Sequence, residues 1–279
     1  MSARRQIKGR ASNLRGPDST VGRDLGLVGW QVRYEQRAYW RNRTRGIFTF
    51  VFPIMFLVIF ASLDKGRHLA SQGGIAYNDF FVPGILAYGV IATTFVNLAI
   101  STAILRDDGV LKRMQGTPLP RWAYVAARIG STVIIVLSMT AVTVALGVVA
   151  YGVHLRASTL PGLIATLVLG TAAFTALGIG ITRFIPNAEA APVVVNLVIL
   201  PLTFISSIWF PPTGMPKALI EIAKIFPIRA LADGLEYAFD PRTLGSGLNG
   251  QDLRTLAIWT AVGVFLMIRF LRQPQGEVR

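Results

Sequence analysis

Few residues in this 279-residue chain are able to do chemistry, and their placement narrows what that chemistry is. With no cysteine there is no disulfide, no thiolate nucleophile and no sulfur-based metal site. His68 and His154 stand far apart among unrelated neighbours, which is not a metal-ligand spacing. The apolar stretches hold no paired carboxylates and no serine in the G-x-S-x-G frame of a nucleophile elbow. What they do hold is uncharged polarity. Thr94, Asn97 and Ser101 follow steps of three and four, so they share one face of a helix; Asn196, Thr203 and Ser207 do the same around Pro201. Such faces either line a route through the protein or tie helix to helix, the latter worth about 0.6–2 kcal/mol each. The other concentration of chemistry is charge. Residues 106–120 read RDDGVLKRMQGTPLP, a short amphipathic helix closed by Gly116, Pro118 and Pro120. A turn needs only a few residues, so a helix placed there offers a surface for something outside to push on.

The elements that must hold these residues are membrane spans. Hydrophobic residues make up 52% of the chain and charged ones 15%, with a mean hydropathy of +0.52; a soluble domain carries about a quarter charged residues. Six apolar stretches stand out: 46–63, 80–105, 122–153, 159–182, 190–210 and 255–270. A bilayer core of about 30 Å takes about 20 helical residues. Four stretches exceed that, and the first and last approach it with their flanks. The runs lack the two-residue alternation of a closed barrel, the other way to span lipid. The fold class is therefore all-α integral membrane with six transmembrane helices. The 122–153 run would reach about 48 Å as a helix, so its ends leave the hydrocarbon, tilt or bend.

Of the 28 Lys and Arg residues, eleven precede the first span; placing that end in the cytoplasm and alternating puts nine more inside and eight outside. This predicts a multi-pass protein of the cell membrane with both termini cytoplasmic. The formal net charge of +14 is thus one-sided and hugs span ends, which points to membrane lipids and not to nucleic acid. The first apolar run begins too late for a cleavable signal peptide. Residues 1–22 read as a basic disordered tail, 23–45 as an interfacial amphipathic helix, 46–273 as the six-span domain and 274–279 as a cytoplasmic tail. The interfacial helix sets Leu25, Val28 and Val32 at helical spacing. Trp30, Tyr34, Tyr39 and Trp40 are interleaved there among Arg33, Arg37, Arg41 and Arg43.

After the fifth span, residues 216–226 and 228–239 read as two short amphipathic helices around Pro227. Neither is long enough to span, and they predict an outer re-entrant helical hairpin marked by Pro216, Phe226, Pro227 and Arg229. Backbone at that depth is tolerated only when protein covers it or it lines a cavity.

Two segments carry a family resemblance: RDDGVLKRMQGTPLPRWAYVAARI after the second span and PLTFISSIWFPPTGMPKALIEIAKIFPIRALADGLEYAF at the end of the fifth. Together they resemble the membrane (permease) subunit of type-2 ABC exporters, the drug- and polysaccharide-exporting kind, over nearly the whole chain from about Trp30. The resemblance implies that the loop after the second span is a coupling helix seated in a groove of a cytoplasmic ABC ATPase subunit. Carried over by position, the docking set is Asp107, Asp108, Gly109, Leu111, Lys112, Arg113 and Met114. Leu111 and Met114, three apart, then offer one apolar edge while the charges fix register. It implies, too, a pair of six-span halves around a central pathway, with outer helices capping it. This chain supplies one half, so it pairs with a second permease copy, as a homodimer or with a sister subunit, and with two copies of the ATPase. No cofactor is expected on the chain itself: the G-x-x-x-x-G-K-S/T phosphate loop is absent, and ATP and Mg belong to the partner ATPase. The resemblance also implies a lateral opening between the first and fifth spans, which makes Phe56, Phe60, Val195 and Phe204 candidate contacts for an apolar substrate.

Rival mechanisms lack their residues. Ion-driven carriers need ionisable groups within the membrane, yet no Asp, Glu or His lies in the middle of any run. Arg128 lies near the end of its run, where it can snorkel. A stand-alone channel or carrier and a membrane-embedded enzyme remain as alternatives to a motor-driven transport subunit that is not itself an enzyme. Short loops disfavour peptide cargo and tripartite pumps. Apolar spans favour a drug, an antibiotic or a lipid-like molecule, with a polysaccharide or lipid-linked glycan as the alternative. A polymer would want a dense aromatic track, and none is visible in the spans.

Overall fold

The long apolar runs wind into helices because in lipid only a helix, or a closed barrel, satisfies its own backbone. The computed structural model describes residues 18–63, 68–69, 75–115, 121–209 and 215–272. Among them are eleven α-helices: α1 (Asp18–Arg41), α2 (Arg43–Leu63), α3 (Tyr77–Ile91), α4 (Asn97–Asp107), α5 (Val110–Gln115), α6 (Arg121–Tyr151), α7 (Leu160–Ile181), α8 (Ala191–Ile205), α9 (Lys217–Ile225), α10 (Pro227–Phe239) and α11 (Gly250–Arg272). A five-residue π-helix, Ala92–Val96, joins α3 to α4. Between α2 and α3 a two-residue antiparallel ladder pairs His68–Leu69 with Ile75–Ala76, the one extended element among the described residues.

Each of the six expected spans is helical. Four segments, Phe80–Asp107, Trp122–Tyr151, Ala157–Phe184 and Gly250–Leu271, are long and apolar enough to cross a bilayer on their own. α2 has 21 residues, about 31 Å at 1.5 Å per residue, and its axis breaks from that of α1 by 71°. A break of that size is what an interfacial helix feeding a span requires. α8 is shorter than the sequence predicts: fifteen residues, about 22 Å, ending at Ile205 and not near residue 210. The chain turns away just after it, where Ser207 adopts φ +59°.

Small residues set the closest approaches. A Cβ on Gly180 would lie 2.8 Å from the Leu266 Cβ, and one on Gly263 would lie 3.0 Å from the Ala176 Cβ, so α7 and α11 pack nearly backbone to backbone. Lipid tails are as apolar as leucine, and such close contact is what holds helices together in a bilayer. The predicted hairpin is present as α9 and α10, but its two arms differ. α9 leaves Leu219, Ile222 and Ile225 exposed, whereas α10 is buried along most of its length against α3, α7 and α11.

Candidate functional site

The charged turn is braced from within. α4 ends at Asp107, and Gly109 reverses the chain at φ +68°, a conformation glycine adopts without strain, before α5 begins. Arg106 donates from Nη1 to the carbonyls of Thr182 (2.9 Å) and Ile185 (2.8 Å) and from Nη2 to that of Pro186 (3.1 Å). Its Nε donates to Asp107 Oδ1 at 3.0 Å, and Asp107 Oδ2 accepts the Ala188 N–H at 2.6 Å. One arginine thus ties the end of α4 to the connection between α7 and α8, using carbonyls of the kind a helix end leaves unpaired.

Of the expected docking set, Asp108, Lys112 and Arg113 are exposed and Gly109 is half-buried. Arg113 Nη2 reaches back to the Asp108 carbonyl at 3.2 Å. Asp107 is engaged by its own chain. The outward apolar edge is corrected for Leu111, which is 3% exposed and packs with Leu98, Tyr124, Val125, Ile179, Met267 and Phe270. A short helix lying on its own bundle turns its apolar side to the nearest apolar surface, which here is the bundle itself. The Met114 side chain lies outside the described residues.

The polar face of the second span is redrawn by the π-helix, whose wider turn rotates the rest of the span around its axis. Thr94 is fully buried and bonds the Val90 carbonyl at 2.6 Å. Asn97 and Ser101 are half-buried beside a cavity that Thr93 also lines. The expected face of Thr94, Asn97 and Ser101 is therefore corrected to Thr93, Asn97 and Ser101. In α8 the three expected residues separate as well. Asn196 is exposed amid Val193, Leu197 and Leu200; Thr203 is fully buried and bonds the Leu200 carbonyl at 2.8 Å. Ser207 lies past the helix end and accepts a hydrogen bond from Arg229.

At the expected lateral opening, Phe204 is 51% exposed but Val195 is fully buried in the core, so Val195 is removed from that surface. Phe56 and Phe60 are half-buried in a run of rings, with centroids 4.5 Å apart for Phe52–Phe56, 5.7 Å for Phe56–Trp209, 4.6 Å for Phe60–Phe81 and 5.0 Å for Tyr88–Trp209. The first span and the segment after the fifth meet through Phe56 and Trp209. An aromatic track therefore exists after all; the sequence scatters its members over three segments that the fold brings together.

The hairpin residues work as a unit. Pro216 caps α9, and Pro227 takes the first position of α10, where its missing N–H costs nothing. Between them Phe226 is extended and stacks on Trp259 at 6.3 Å, while Trp259 Nε1 donates to the Ile225 carbonyl at 2.8 Å. Arg229, 9% exposed, donates from Nε to Asp233 Oδ2 (2.6 Å) and from Nη1 to Ser207 Oγ (2.5 Å). Sequence reasoning named Arg229 without its partners, although Asp233 at i+4 is a readable signal. One turn on, burial pushes the Glu236 carboxyl up to about 7, with the Asp233 charge adding to the shift. The hydrogen bonds from Arg242 hold Asp240 below the usual carboxylate range.

Arg128 does not snorkel. Its Nη1 donates to Glu35 of α1, and the two side chains are 12% and 14% exposed. Gln36 Nε2 donates to the Ser131 carbonyl at 2.7 Å and to its Oγ at 3.2 Å, so α1 is stitched to α6. Among the described residues no cluster of His, Asp and Glu is placed to hold a metal.

The family model for the ABC-2 type transporter matches residues 27–239. The inner membrane transport permease YadH of Escherichia coli strain K12 is 23% identical over 187 residues, covering 66% of this chain and 71% of its own length. Proteins of the same name from Escherichia coli O157:H7 and Shigella flexneri match to the same extent.

Proposed function

We propose, from the premise that this chain belongs to the ABC-2 type transporter family, that it is the membrane subunit of an ATP-driven exporter. Its cargo in this reading is a hydrophobic or amphipathic molecule: a drug, an antibiotic or a lipid-like compound. Membership makes the chain a multi-pass transport permease of an ABC transporter; direction, cargo, stoichiometry and orientation are what the proposal adds. The observation that carries it is the exposed charge of Asp108, Lys112 and Arg113 on and just before the short helix α5, which is seated on the bundle by Leu111 and follows an α4 end held by the Arg106 bonds. A helix that passes force between subunits has to be braced against its own bundle, and this one is.

The excess of Lys and Arg beside α1, α5 and α6 supports cytoplasmic termini and an α5 that faces the ATPase. Two ATPase copies would bind the ATP and Mg. A second permease, identical or a sister, would cover α8, whose Val193 and Leu197 are 70% and 73% exposed in the single chain. Asn196 would then lie along the route between the halves. One observation favours a second cargo: aromatic faces stack on the C–H faces of sugars, and the ring cluster around Phe56 and Trp209 suits a polysaccharide or lipid-linked glycan.

The test is affinity purification of the chain from its native membrane in mild detergent, followed by mass spectrometry of what accompanies it. A stoichiometric ATPase with a phosphate loop is the expected result. Its reproducible absence, with the chain intact and oligomeric, would favour a stand-alone channel. Uptake of labelled drug against labelled glycan by inside-out vesicles then separates the two cargos.

A further inference from the structure

Between α1, α4 and α6 lies a cavity of about 350 Å³, inside the roughly 300–1,000 Å³ range of ligand sites. Its wall holds the Glu35–Arg128 pair, the amides of Gln31 and Asn97 and the hydroxyls of Ser101 and Thr132. Tyr34, 57% exposed, also belongs to the wall, so the chamber reaches the surface of the chain. Apolar residues of the same volume often stabilise a fold as well as a buried ion pair does, so the pair invites an explanation beyond stability. Arg128 Nε is buried and has no hydrogen-bond partner among the described residues, a donor left unmet.

A second cavity of about 240 Å³ lies beside it, walled by Phe48, Phe52, Pro53 and Tyr88 from α2 and α3. Thr93 and Asn97 line both cavities. They sit on and just after the π-helix, an element frequent at functional sites. A charged, hydrogen-bonding chamber thus adjoins an aromatic one, which is the outline of an amphiphile. The depth fits too. Trp30 and Trp40 of α1, 65% and 52% exposed, mark the level of lipid headgroups.

We propose that the two chambers bind one glycerophospholipid whose head is a phosphate and a primary ammonium, with its phosphate toward Arg128, its ammonium toward Glu35 and an acyl chain past Thr93 into the aromatic chamber. The pair is neutral overall, so an anionic head would bring in a charge without an opposite, whereas a zwitterion supplies one for each. A quaternary ammonium has no N–H to donate to Glu35, so phosphatidylethanolamine fits better than phosphatidylcholine. Asn97 and Ser101 supply hydrogen bonds to the head. This site rests on the membrane fold and not on the cargo or direction proposed above.

The full chain, purified and delipidated in detergent, would be offered phosphatidylethanolamine carrying a photoactivatable acyl chain. Unlabelled phosphatidylethanolamine, phosphatidylglycerol, phosphatidylcholine and soluble phosphoethanolamine would serve as competitors. Cross-links are expected in peptides bearing Phe52 and Tyr88, displaced at least fivefold better by phosphatidylethanolamine than by the other two lipids. Soluble phosphoethanolamine should not compete at the same concentration. Glu35→Gln should turn the preference toward phosphatidylglycerol. Ser101→Phe fills the polar chamber without touching a charge, and should cut labelling at least fivefold while the elution volume stays constant. Equal displacement by all three lipids, or unchanged labelling in Ser101→Phe, would overturn the site. Displacement by soluble phosphoethanolamine would overturn its two-chamber form. Neither result depends on whether an ATPase copurifies.

Discussion

Arg106 at the basic end of the bundle and Arg229 at the hairpin end each fasten a connection to a helix, but by different means. Arg106 reaches across to three backbone carbonyls, of Thr182, Ile185 and Pro186, its side-chain partner being the adjacent Asp107. Arg229 binds two side chains, Asp233 and Ser207. Backbone acceptors are supplied by any residue, so the first clamp depends on the path of the chain and tolerates change in its partners. The second depends on the identity of both. The surroundings differ in the same sense. At the basic end Asp108, Lys112 and Arg113 stay exposed around the clamp, while at the hairpin end charge is taken inside. One end keeps its charges exposed around a backbone clamp, the other closes its charges into a lock.

The contrast breaks first at the lock. Arg229→Ala leaves Asp233 without its partner in a largely buried place, at a cost of about 3 kcal/mol. The midpoint of thermal unfolding in detergent should fall, and the double variant with Asp233→Ala should recover part of the loss. Leu111→Ala should cost about 2–3 kcal/mol by opening a cavity in the cluster around Phe270, which a parallel melt would register. A docking residue would leave that melt unchanged. Arg106→Lys keeps the charge but loses the fork that reaches several carbonyls, for about 1–2 kcal/mol. ATPase stimulation in the reconstituted complex should drop several-fold with it.

Two smaller effects sharpen the contrast. The folded state holds the Glu236 proton up to about pH 7, while the unfolded chain releases it near 4.5. Protonation therefore favours the fold, and stability falls as pH rises between those values. Melts of Glu236→Gln from pH 5 to 8 should lose part of that slope, since burial raises the neighbouring Asp233 carboxyl as well; an unaltered slope would assign it wholly to other groups. Smallest in stability is Lys112→Glu with Arg113→Glu, expected within about 0.5 kcal/mol of the parent because both side chains are exposed. The same pair should lower ATPase stimulation at least tenfold if α5 is the docking helix.

Hydropathy alone locates the spans, since a membrane span is a long signal written in one stretch of chain. The ends were less legible. α8 stops at Ile205 because of a turn whose hydroxyl is held by Arg229, a residue that neither run of apolar sequence announces. Step counting places Thr94 on the polar face of the second span because it assumes a constant winding, and the π-helix breaks that assumption at Ala92. Leu111 illustrates a different limit. On a short amphipathic helix the apolar side reads identically whether it meets a partner or its own bundle. For Arg128 the sequence offers only snorkelling, because its carboxylate partner, Glu35, lies 93 residues away on another helix. The hairpin was legible in outline, through Pro227 and the flanking periodicity, but not the unequal burial of its arms.

The π-helix also acts as an angular setting. Ala92–Val96 is wound with one residue more than an α-helical stretch of the same rise would hold, so Arg106 and α5 beyond it are turned by roughly 100° about the axis of the span. Deleting one residue there would be less a shortening than a rotation. It would swing Arg106 away from the carbonyls of Thr182 and Ile185, and it would be read as lost ATPase stimulation in a protein that still inserts. The heading on which this chain presents its charged helix is fixed by the winding of a helix deep in the bundle, far from the charges themselves.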